Sequence, residues 1–536
     1  MILQSNSSYD NITEPEILDN DDSCCSKRSC SKPTTNCGIA FVCSLVGIGI
    51  IVVSSILFIQ TSNTTHLNQF LHLSDFHLDT YYDSKISVKD CRCHWKPGHE
   101  NCTPQNSNAA SGLYGSFGCD SPPSLVHSAL AAAVKFSKSY SKQILPTIVT
   151  GDYTRHSTHF YTNPSQIVYD AFKNISWWMK DLGFESVVST WGNDDFSENY
   201  YFDAKRTCNN QTNDHLKPNA ETLLELTSNE LMRNLPNKKM TINMKCYGYY
   251  SYDIYPGIRI LSLNTIIYSV KHQPKHLTNE DPTGQFQWLR SQLDQCIKEE
   301  ECHAIYIVGH IPPGREWCNA APSWDNIYVE QYVSILSKYS TIKNNDVGRG
   351  GIIKGQLFGH EHINSIRLID SNNLNIPPII IAGAVSPVYG NRPSFRIVDY
   401  VRDRIHFGSI TNIHVYGMKL KGDSATSSSI SPSTSSIGTN SEWNERFSMV
   451  NEFNLQDNNN NNVLSSESIL NLFNSFKYNE KTDTMNQPFQ TFVTRSWDRN
   501  TKVPPDGSPC ISHPNVCHLK HVLESDIEKC MAKGGI

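Results

Sequence analysis

The sequence predicts an α/β fold with a mostly buried sheet, because short apolar runs alternate with stretches of helical character. Seven apolar runs of strand length each end in a polar cluster: Gln69–His77, Ile144–Asp152, Ser186–Asp195, Ile258–Thr265, Ala304–His310, Gly355–His362 and Pro378–Ala384. Four segments between them have helical character: Leu125–Tyr140, Ser165–Leu182, Gly284–Lys298 and Asp325–Tyr339. Strands that alternate with helices in this way are typical of α/β domains.

Composition and charge limit the classes of function. The chain has 536 residues, of which 38% are hydrophobic, so it can build a large core but is too long for one compact unit. Lys and Arg total 46 against 52 Asp and Glu, which gives a net charge of −6. This balance provides no bulk attraction for nucleic acid. An anionic substrate must therefore be held by local groups.

The first 60 residues predict a membrane anchor. Residues 38–60 include the uncharged run Gly38–Ile59, which as a helix is long enough to cross a hydrocarbon core of about 30 Å. Three basic residues, at positions 27, 28 and 32, precede it and the next is Lys85, so residues 1–37 are expected in the cytosol. A secretory signal peptide is the alternative, but a long polar segment comes first. The prediction is a type II single-pass membrane protein whose catalytic domain is lumenal, in a vacuole or lysosome, or extracellular.

The cysteines and glycosylation sequons agree with that orientation. Five of the 17 Cys lie before or inside the anchor, which leaves twelve beyond it, an even number suited to disulfides in an oxidising compartment. The pairing cannot be read from the sequence. The predicted glycosylation sites are Asn63, Asn101, Asn174 and Asn210.

Composition also divides the chain beyond the anchor. Residues 66–415 are expected to form the catalytic domain, and residues 416–465 read as a linker because Ser, Thr and Asn dominate them. Residues 466–536 regain aromatic residues and contain Cys510, Cys517 and Cys530. We expect a small disulfide-tied region there, with a helical stretch at Cys517–Lys533.

Metal-ligand residue types recur where the predicted strands end. The five pieces are Asp75-Phe-His77, Gly151-Asp152, Gly192-Asn193-Asp194-Asp195, Gly309-His310 and Gly359-His360-Glu361-His362. Asp-x-His alone is more often a surface loop, and Gly-Asp is commoner still, whereas Gly-His-x-His is a stronger signal because alternate residues of a strand point the same way. In α/β sheets, however, ligands bind where strands terminate, and carboxylate, imidazole and amide donors there favour two divalent ions that share one carboxylate. The glycine that opens four of the five pieces lets the backbone turn sharply out of the sheet.

The order of these pieces resembles the signature of the calcineurin-like metallophosphoesterases: DxH, GD, a GN-containing piece, GH and GHxH. Five further segments resemble the acid-sphingomyelinase-like group: Phe117–Pro123, Leu261–Thr265, Gln285–Leu289, Val308–Gly314 and Ala382–Pro387. The resemblance covers about residues 69–415 and implies a four-layer αββα sandwich. By the same resemblance, Asp75, His77, Asp152 and His362 hold one metal, and Asp152, Asn193, His310 and His360 hold the second. Zinc is the favoured ion, although manganese or iron fits the ligand set.

One substitution bears on the substrate. Sphingomyelinases and nucleotide diesterases have His directly after the site Asn, whereas this chain has Asp194, and TGDYTRH (Thr150–His156) resembles the vacuolar endopolyphosphatase motif. The resemblance therefore implies that inorganic polyphosphate is cut by a hydroxide that bridges the two ions. Polyphosphate leaves as a weakly basic oxyanion and has little need of an acid. His156 remains available as an acid, and Asp194 has the alternative role of orienting a metal-ligating His.

Two other functions stay open. The first is a sphingomyelinase-like phosphodiesterase that acts on a lipid headgroup or a nucleotide. The second, from a different class, is an inactive binding protein that keeps the metal site. Arg155, Arg315 and Arg396 are weaker candidates for binding phosphate oxygens.

Overall fold

Two six-stranded sheets carry the fold. The computed structural model describes residues 67–86, 93–94, 113–203, 219–236, 241–275, 280–316, 320–342, 351–403, 406–420, 443–455, 464–479, 484–497 and 516–533. The strands are β1 (Leu67–Leu73), β2 (Thr147–Val149), β3 (Val187–Ser189), β4 (Tyr250–Tyr255), β5 (Gly257–Ser262), β6 (Cys302–Val308), β7 (Ile353–Phe358), β8 (Ser365–Arg367), β9 (Ile379–Ile381), β10 (Ser394–Val401), β11 (Ile410–Met418), β12 (Trp443–Ser448), β13 (Tyr478–Asn479) and β14 (Thr484–Met485). One sheet has the order β12-β11-β10-β1-β2-β3 and the other β4-β5-β6-β7-β9-β8, while β13 and β14 form a separate pair.

Helices lie between these strands along the chain. They are α1 (Pro123–Tyr140), α2 (Pro164–Asp181), α3 (Asn219–Met232), α4 (Ile242–Tyr247), α5 (Gln285–Lys298), α6 (Asn326–Tyr339), α7 (Met449–Phe453), α8 (Ser466–Asn474), α9 (Gln487–Trp497), α10 (Val516–Lys520) and α11 (Glu524–Ala532). The alternation of strand and helix up to residue 381 confirms the predicted α/β class.

The two sheets pack against each other and the helices cover their outer faces. Phe70 of β1 lies 5.5 Å, ring to ring, from Tyr306 of β6 in the other sheet. Successive side chains of a strand point to opposite faces, and on the outer face Phe136 of α1 packs against Phe395 of β10. On the second sheet, the Tyr332 hydroxyl of α6 donates to Gln356 of β7 at 2.8 Å. These contacts give the layer order helix, sheet, sheet, helix.

Parallel pairing places the ends of the central strands together. β1 pairs with β2 and β2 with β3 in parallel, and in the second sheet β5, β6, β7 and β9 pair in parallel in that order. The carboxyl ends of parallel neighbours lie at one edge of a sheet. The segments that follow β1, β2, β3, β6 and β7 are therefore brought to common edges.

The predicted linker 416–465 contains regular structure. β11 runs on to Met418, and β12 pairs with it as the edge strand of the first sheet. Trp443 and Phe447 of β12 are buried, and the Trp443 indole donates to Ser128 of α1 at 3.2 Å. A Ser- and Asn-rich average composition hides this short strand. The Ser-rich and Asn-rich runs themselves, Ser424–Ser436 and Asn458–Asn462, lie outside the described residues.

The C-terminal region packs on the catalytic part of the chain. α10 and α11 fall in the predicted helical stretch, and the disulfide Cys517–Cys530 joins them. The backbone N–H of Leu368, just after β8, donates to the Leu519 carbonyl at 2.8 Å. Two further disulfides, Cys93–Cys119 and Cys296–Cys302, confirm that cysteines beyond the predicted anchor are paired.

The predicted single-pass membrane topology is corrected. In the ranges of the chain that the structure describes, no helix combines the length and apolar character needed to cross a bilayer. The predicted span Gly38–Ile59 and the tail at 1–37 lie outside those ranges, as do Asn63, Asn101 and Asn210. Asn174 is half-buried in α2, and the Ser176 hydroxyl of its sequon is hydrogen-bonded to Glu230. Glycosylation stays a prediction.

An ion triad that crosses three strands makes the first sheet sensitive to pH. His414 of β11 contacts Asp399 of β10 at 3.0 Å and Glu445 of β12 at 2.8 Å. Burial acts to lower the pKa of His414, but the hydrogen bonds to the two carboxylates outweigh it and raise the pKa to about 9. Since this folded-state pKa exceeds the ordinary 6.5, the stabilisation is complete below pH 6.5 and is lost as pH rises through about 9.

We predict that His414→Gln lowers the free energy of unfolding by about 1 kcal/mol below pH 6.5, because Glu445 is partly solvated. Urea titrations of wild type and variant should converge above pH 9. His127→Gln on the exposed side of α1 is the control. A deficit that stays the same at both ends of the range would rule out the charged triad.

Candidate metal centre

The structure brings all seven predicted metal ligands together at the edge where the two sheets meet. Each follows the carboxyl end of a strand, and the backbone pairing described above fixes which ends are neighbours. Asp75 and His77 follow β1, Asp152 follows β2, Asn193 follows β3, His310 follows β6, and His360 and His362 follow β7.

Five of the seven have a left-handed backbone. The φ angles are +51° at Asp75, +41° at His77, +54° at Asp152, +73° at His360 and +58° at His362. This conformation is uncommon outside glycine and costs on the order of 1 kcal/mol or more at each residue. It persists only where the surrounding structure holds it. Of the ten non-glycine residues with positive φ in the described part of the chain, these five lie together, and such a concentration of strain indicates a functional site.

Two glycines of the motifs are required by close approach. A Cβ at Gly192 would overlap the Oδ1 atom of Asp152, and a Cβ at Gly359 would overlap the Ser74 hydroxyl beside Asp75. The sequence predicted these glycines as sharp turns. The structure shows that they let one ligand loop lie directly against another.

Asp75, His77 and His362 form the first cluster. One ligand atom from each lies within 4.8 Å of the others. His77 Nδ1 donates to the Thr154 carbonyl at 3.0 Å, so in the neutral ring its Nε2 carries a lone pair. That Nε2 lies 3.1 Å from His362 Nε2 and 3.9 Å from Asp75 Oδ1. Electron-pair donors that face one another in this way fit a cation between them.

Asp152, His310 and His360 form the second cluster, with the same 4.8 Å limit. His310 Nδ1 donates to the Thr150 carbonyl at 2.6 Å, which leaves its Nε2 as an acceptor. This Nε2 lies 3.1 Å from both Asp152 Oδ2 and Asn193 Oδ1. Three acceptor atoms thus converge, and the donor set again fits a divalent cation.

Asp152 lies between the two clusters. Its Oδ2 atom is 3.5 Å from His77 Nε2 and 3.1 Å from His310 Nε2, while its Oδ1 accepts from the Asp194 backbone at 2.9 Å. The bridging role that the resemblance implies for this carboxylate stays a prediction. The site therefore suits two divalent ions, and the donor types do not decide which metal.

Burial raises the pKa values of the buried carboxylates and lowers those of two of the imidazoles. Burial raises the pKa of Asp75 to about 7, with a further increase from Asp152 and opposition from His310. Burial likewise raises the pKa of Asp152 and lowers those of His77 and His360. Charged carboxylates and charged imidazoles are both disfavoured in a buried cluster. A bound divalent cation would restore the anionic carboxylates and favour neutral imidazoles.

His156 lies beside the first cluster but is held by a different partner. Its ring stacks on His77 with centroids 4.0 Å apart, and its Nδ1 contacts Asp120 Oδ1 at 2.7 Å. Its Nε2 lies 3.1 Å from the Tyr389 hydroxyl and 3.6 Å from Asp194 Oδ2. His77, His156 and Asp194 have metal-ligand spacing too. His77 Nε2 faces His362, whereas His156 has Asp120 as a carboxylate partner of its own. The predicted role of His156 as an acid stays a prediction.

Asp194 orients an amide. The Asn193 side-chain N–H group donates to Asp194 Oδ2 at 3.0 Å and to Asn199 at 2.9 Å, so the Asn193 oxygen is fixed towards His310. Sequence analysis had offered the orientation of a metal-ligating His as one role of Asp194. In the structure it orients Asn193, which is itself a predicted ligand. Burial raises the pKa of Asp194 well above its usual range, opposed by His156.

Sequence reasoning gave no role to Asp120, Tyr389 or Asp195. Asp195 accepts backbone N–H groups from Gly192, Asp152, Tyr153 and Thr154 at 2.8–3.1 Å, and so ties the β2 and β3 loops together. Asp195 is the last residue of the Gly192–Asp195 motif, so its place in that motif is a sequence signal that could have indicated a role. Asp120 and Tyr389 carry no local signal, because their partners are distant in sequence.

The three arginines proposed for phosphate binding are engaged within the protein. Arg155 is buried and pairs with Asp79 at 3.0 Å. Arg315 donates to Glu524 at 2.8 Å, and Arg396 is buried and donates to Asn364 at 2.8 Å. The prediction that they bind substrate is not supported, because each has an internal acceptor.

Comparison with known proteins places phosphodiesterases among the relatives. "Sphingomyelinase phosphodiesterase D" of Dictyostelium discoideum is 27% identical over 398 residues, which is 69% of this chain and 81% of the relative. "Cyclic GMP-AMP phosphodiesterase SMPDL3A" of Rattus norvegicus is 27% identical over 358 residues, 62% and 68% of the two chains. No protein-family model matches the sequence. A solved dimetal phosphatase from Danio rerio covers 65% of this chain and 95% of its own at 13% identity, with a TM-score of 0.37.

The chain is a metal-dependent phosphoesterase with acid-sphingomyelinase-like phosphodiesterases among its homologues. Its two-sheet α/β fold agrees with the calcineurin-like resemblance. An endopolyphosphatase specificity has no support from these relatives.

We predict that Asp152→Asn lowers bound metal from about two ions per chain to less than one and abolishes hydrolysis, because this carboxylate contacts both clusters. Metal analysis of the purified protein measures the loss. The control is Asp294→Asn, which removes a carboxylate that accepts from Tyr339 on the outer helices. Full metal content in the Asp152 variant would contradict the bridging assignment.

Proposed function

We propose that this protein hydrolyses phosphodiesters whose leaving group is a basic alkoxide, on a lipid headgroup or a nucleotide. The observation that carries the proposal is the Asp120–His156 pair, in which a buried carboxylate holds an imidazole beside the metal clusters. An alkoxide must gain a proton as it leaves, and a His held by a carboxylate is a common donor. The site therefore has the group that such substrates require.

The pair fixes the tautomer and direction of His156. With Nδ1–H donating to Asp120, the proton to be transferred is the one on Nε2, which lies on the side of Tyr389 and Asp194. Tyr389 has 41% of its surface exposed, so this side is open to solvent. Two divalent ions held by the seven ligands would neutralise the phosphoryl oxygens and supply a nucleophilic water at neutral pH.

Polyphosphate, which the sequence analysis favoured, is the weaker substrate. That preference rested on the absence of His at position 194, read as the absence of an acid, and on the resemblance of Thr150–His156 to the endopolyphosphatase motif. In the structure the carboxylate at 194 orients Asn193, while His156 has a partner and a direction of its own. The names of these two relatives describe phosphodiester cleavage, of sphingomyelin in one case and of cyclic GMP-AMP in the other. Both reactions release an alkoxide.

The decisive experiment compares leaving groups. We predict that His156→Ala lowers kcat by about 10²-fold or more for sphingomyelin or a cyclic dinucleotide, but by less than about tenfold for bis(4-nitrophenyl) phosphate. Nitrophenolate leaves without a proton, so it does not need the acid. Initial rates on the metal-loaded protein measure the difference.

Asp120→Asn should follow the same pattern to a smaller extent, because it leaves the imidazole in place but loses the carboxylate that orients it. His127→Gln serves again as the control. Equal losses on alkyl and aryl esters would remove His156 from the acid role. Rapid cleavage of long-chain polyphosphate with no cleavage of diesters would overturn the proposal itself.

A further inference from the structure

The residue between the last two histidines is a buried ion-pair partner. Glu361 stands between His360 and His362, and its carboxylate pairs with the Arg367 guanidinium of β8. The two side chains are only 6% and 1% exposed. A buried ion pair is costly to form and strongly destabilising to break, so it holds its surroundings in one arrangement.

The same arginine reaches the C-terminal helices. Arg367 Nη1 donates to the Arg315 carbonyl at 2.6 Å, and the Arg315 side chain pairs with Glu524 at 2.8 Å. Glu524 is in the first turn of α11, which the disulfide Cys517–Cys530 joins to α10. Two ion pairs and a hydrogen bond to the Arg315 backbone thus link the loop that carries His360 and His362 to this disulfide-joined pair of helices, which we name the C-terminal hairpin.

Backbone hydrogen bonds also join the C-terminal hairpin to the segment after β8. Leu368 N–H donates to Leu519 at 2.8 Å and Val522 N–H donates to Ile369 at 3.1 Å, so the hairpin lies along the segment that follows β8. Asn364 N–H, two residues beyond His362, donates to the Ser496 carbonyl of α9 at 2.7 Å. The C-terminal region therefore contacts the histidine loop and its continuation at several points.

This loop needs external support. His360 and His362 have φ angles of +73° and +58°, and residues in that region keep it only when neighbouring structure imposes it. We propose that Glu361 and Arg367 are positioning residues through which the C-terminal hairpin holds His360 and His362 in their metal-binding geometry. This inference rests on the proposed two-metal site and adds a role for residues that contact no metal.

The test is metal reconstitution of the full chain. Chelator-treated protein is titrated with Zn²⁺, and separately with Mn²⁺. The rate of bis(4-nitrophenyl) phosphate hydrolysis measures how much of the protein has regained an active site. Glu361→Gln should raise the metal concentration at half-activity by about tenfold or more, as is usual when a group that orients metal ligands is changed. At saturating metal its kcat should return to within about threefold of wild type, because bound ions themselves order the loop.

A distal variant with a matched control separates positioning from general stability. Glu524→Gln breaks the outer pair with Arg315 and should shift the metal midpoint in the same direction by about threefold. Glu299→Gln removes a carboxylate of similar exposure, 35% against 37%, from its pair with Arg259 far along the chain. Glu299→Gln should leave the metal concentration at half-activity unchanged, even if it loses as much thermal stability as Glu524→Gln.

The outcomes are distinct. Wild-type protein that binds no metal and cleaves no diester refutes the proposed function. If the wild-type protein binds metal and cleaves diesters, and both Glu361→Gln and Glu524→Gln have the wild-type metal midpoint, only the positioning role is refuted. If Glu361→Gln does not fold, the comparison of Glu524→Gln with Glu299→Gln decides, and equal midpoints in these two overturn the inference.

Discussion

The convergence of buried electron-pair donors where the two sheets meet is the constraint on which the rest of the structure depends. Oxygen and nitrogen atoms of carboxylates, imidazoles and an amide lie 3.1–3.9 Å from one another. Most of these atoms are hydrogen-bond acceptors that face other acceptors. Such a cluster is unfavourable in a buried place unless cations neutralise it. The left-handed ligand residues, the glycines that allow close approach and the four amides bound to Asp195 are the means by which the chain holds it.

The surroundings of that cluster decide the chemistry. Calcineurin-like metal ligands are shared by enzymes with different substrates, so the ligand set gives the class of reaction and not the substrate. In the function proposed above, the neighbouring Asp120–His156 pair narrows the substrate to phosphodiesters, because a positioned proton donor is of most use where the leaving oxygen is basic. Asp194 then becomes intelligible as the residue that orients Asn193, and its difference from His carries less weight than the sequence suggested.

The C-terminal region is part of the same construction. Composition suggested a separate appendage beyond a linker, yet β12 completes the first sheet and the C-terminal hairpin lies along the segment after β8. Glu361 occupies the variable place of the GHxH piece, and its buried partner Arg367 faces that hairpin. A part of the chain far from the reacting atoms thereby contacts the loop that bears two of the seven ligands.

The sequence by itself determined the α/β class, the seven ligand candidates and the presence of disulfides beyond residue 60. It could do so because these features are local: an apolar run has strand length, and its ligands follow within a few residues of its end. The tertiary structure alone decided which side chains meet. Asp120 reaches His156 from 36 positions away, Arg315 reaches Glu524 from 209, and the short strand β12 is stabilised only by pairing with β11. Contacts of that kind arise from strand order and layer packing, which no local pattern of residues encodes.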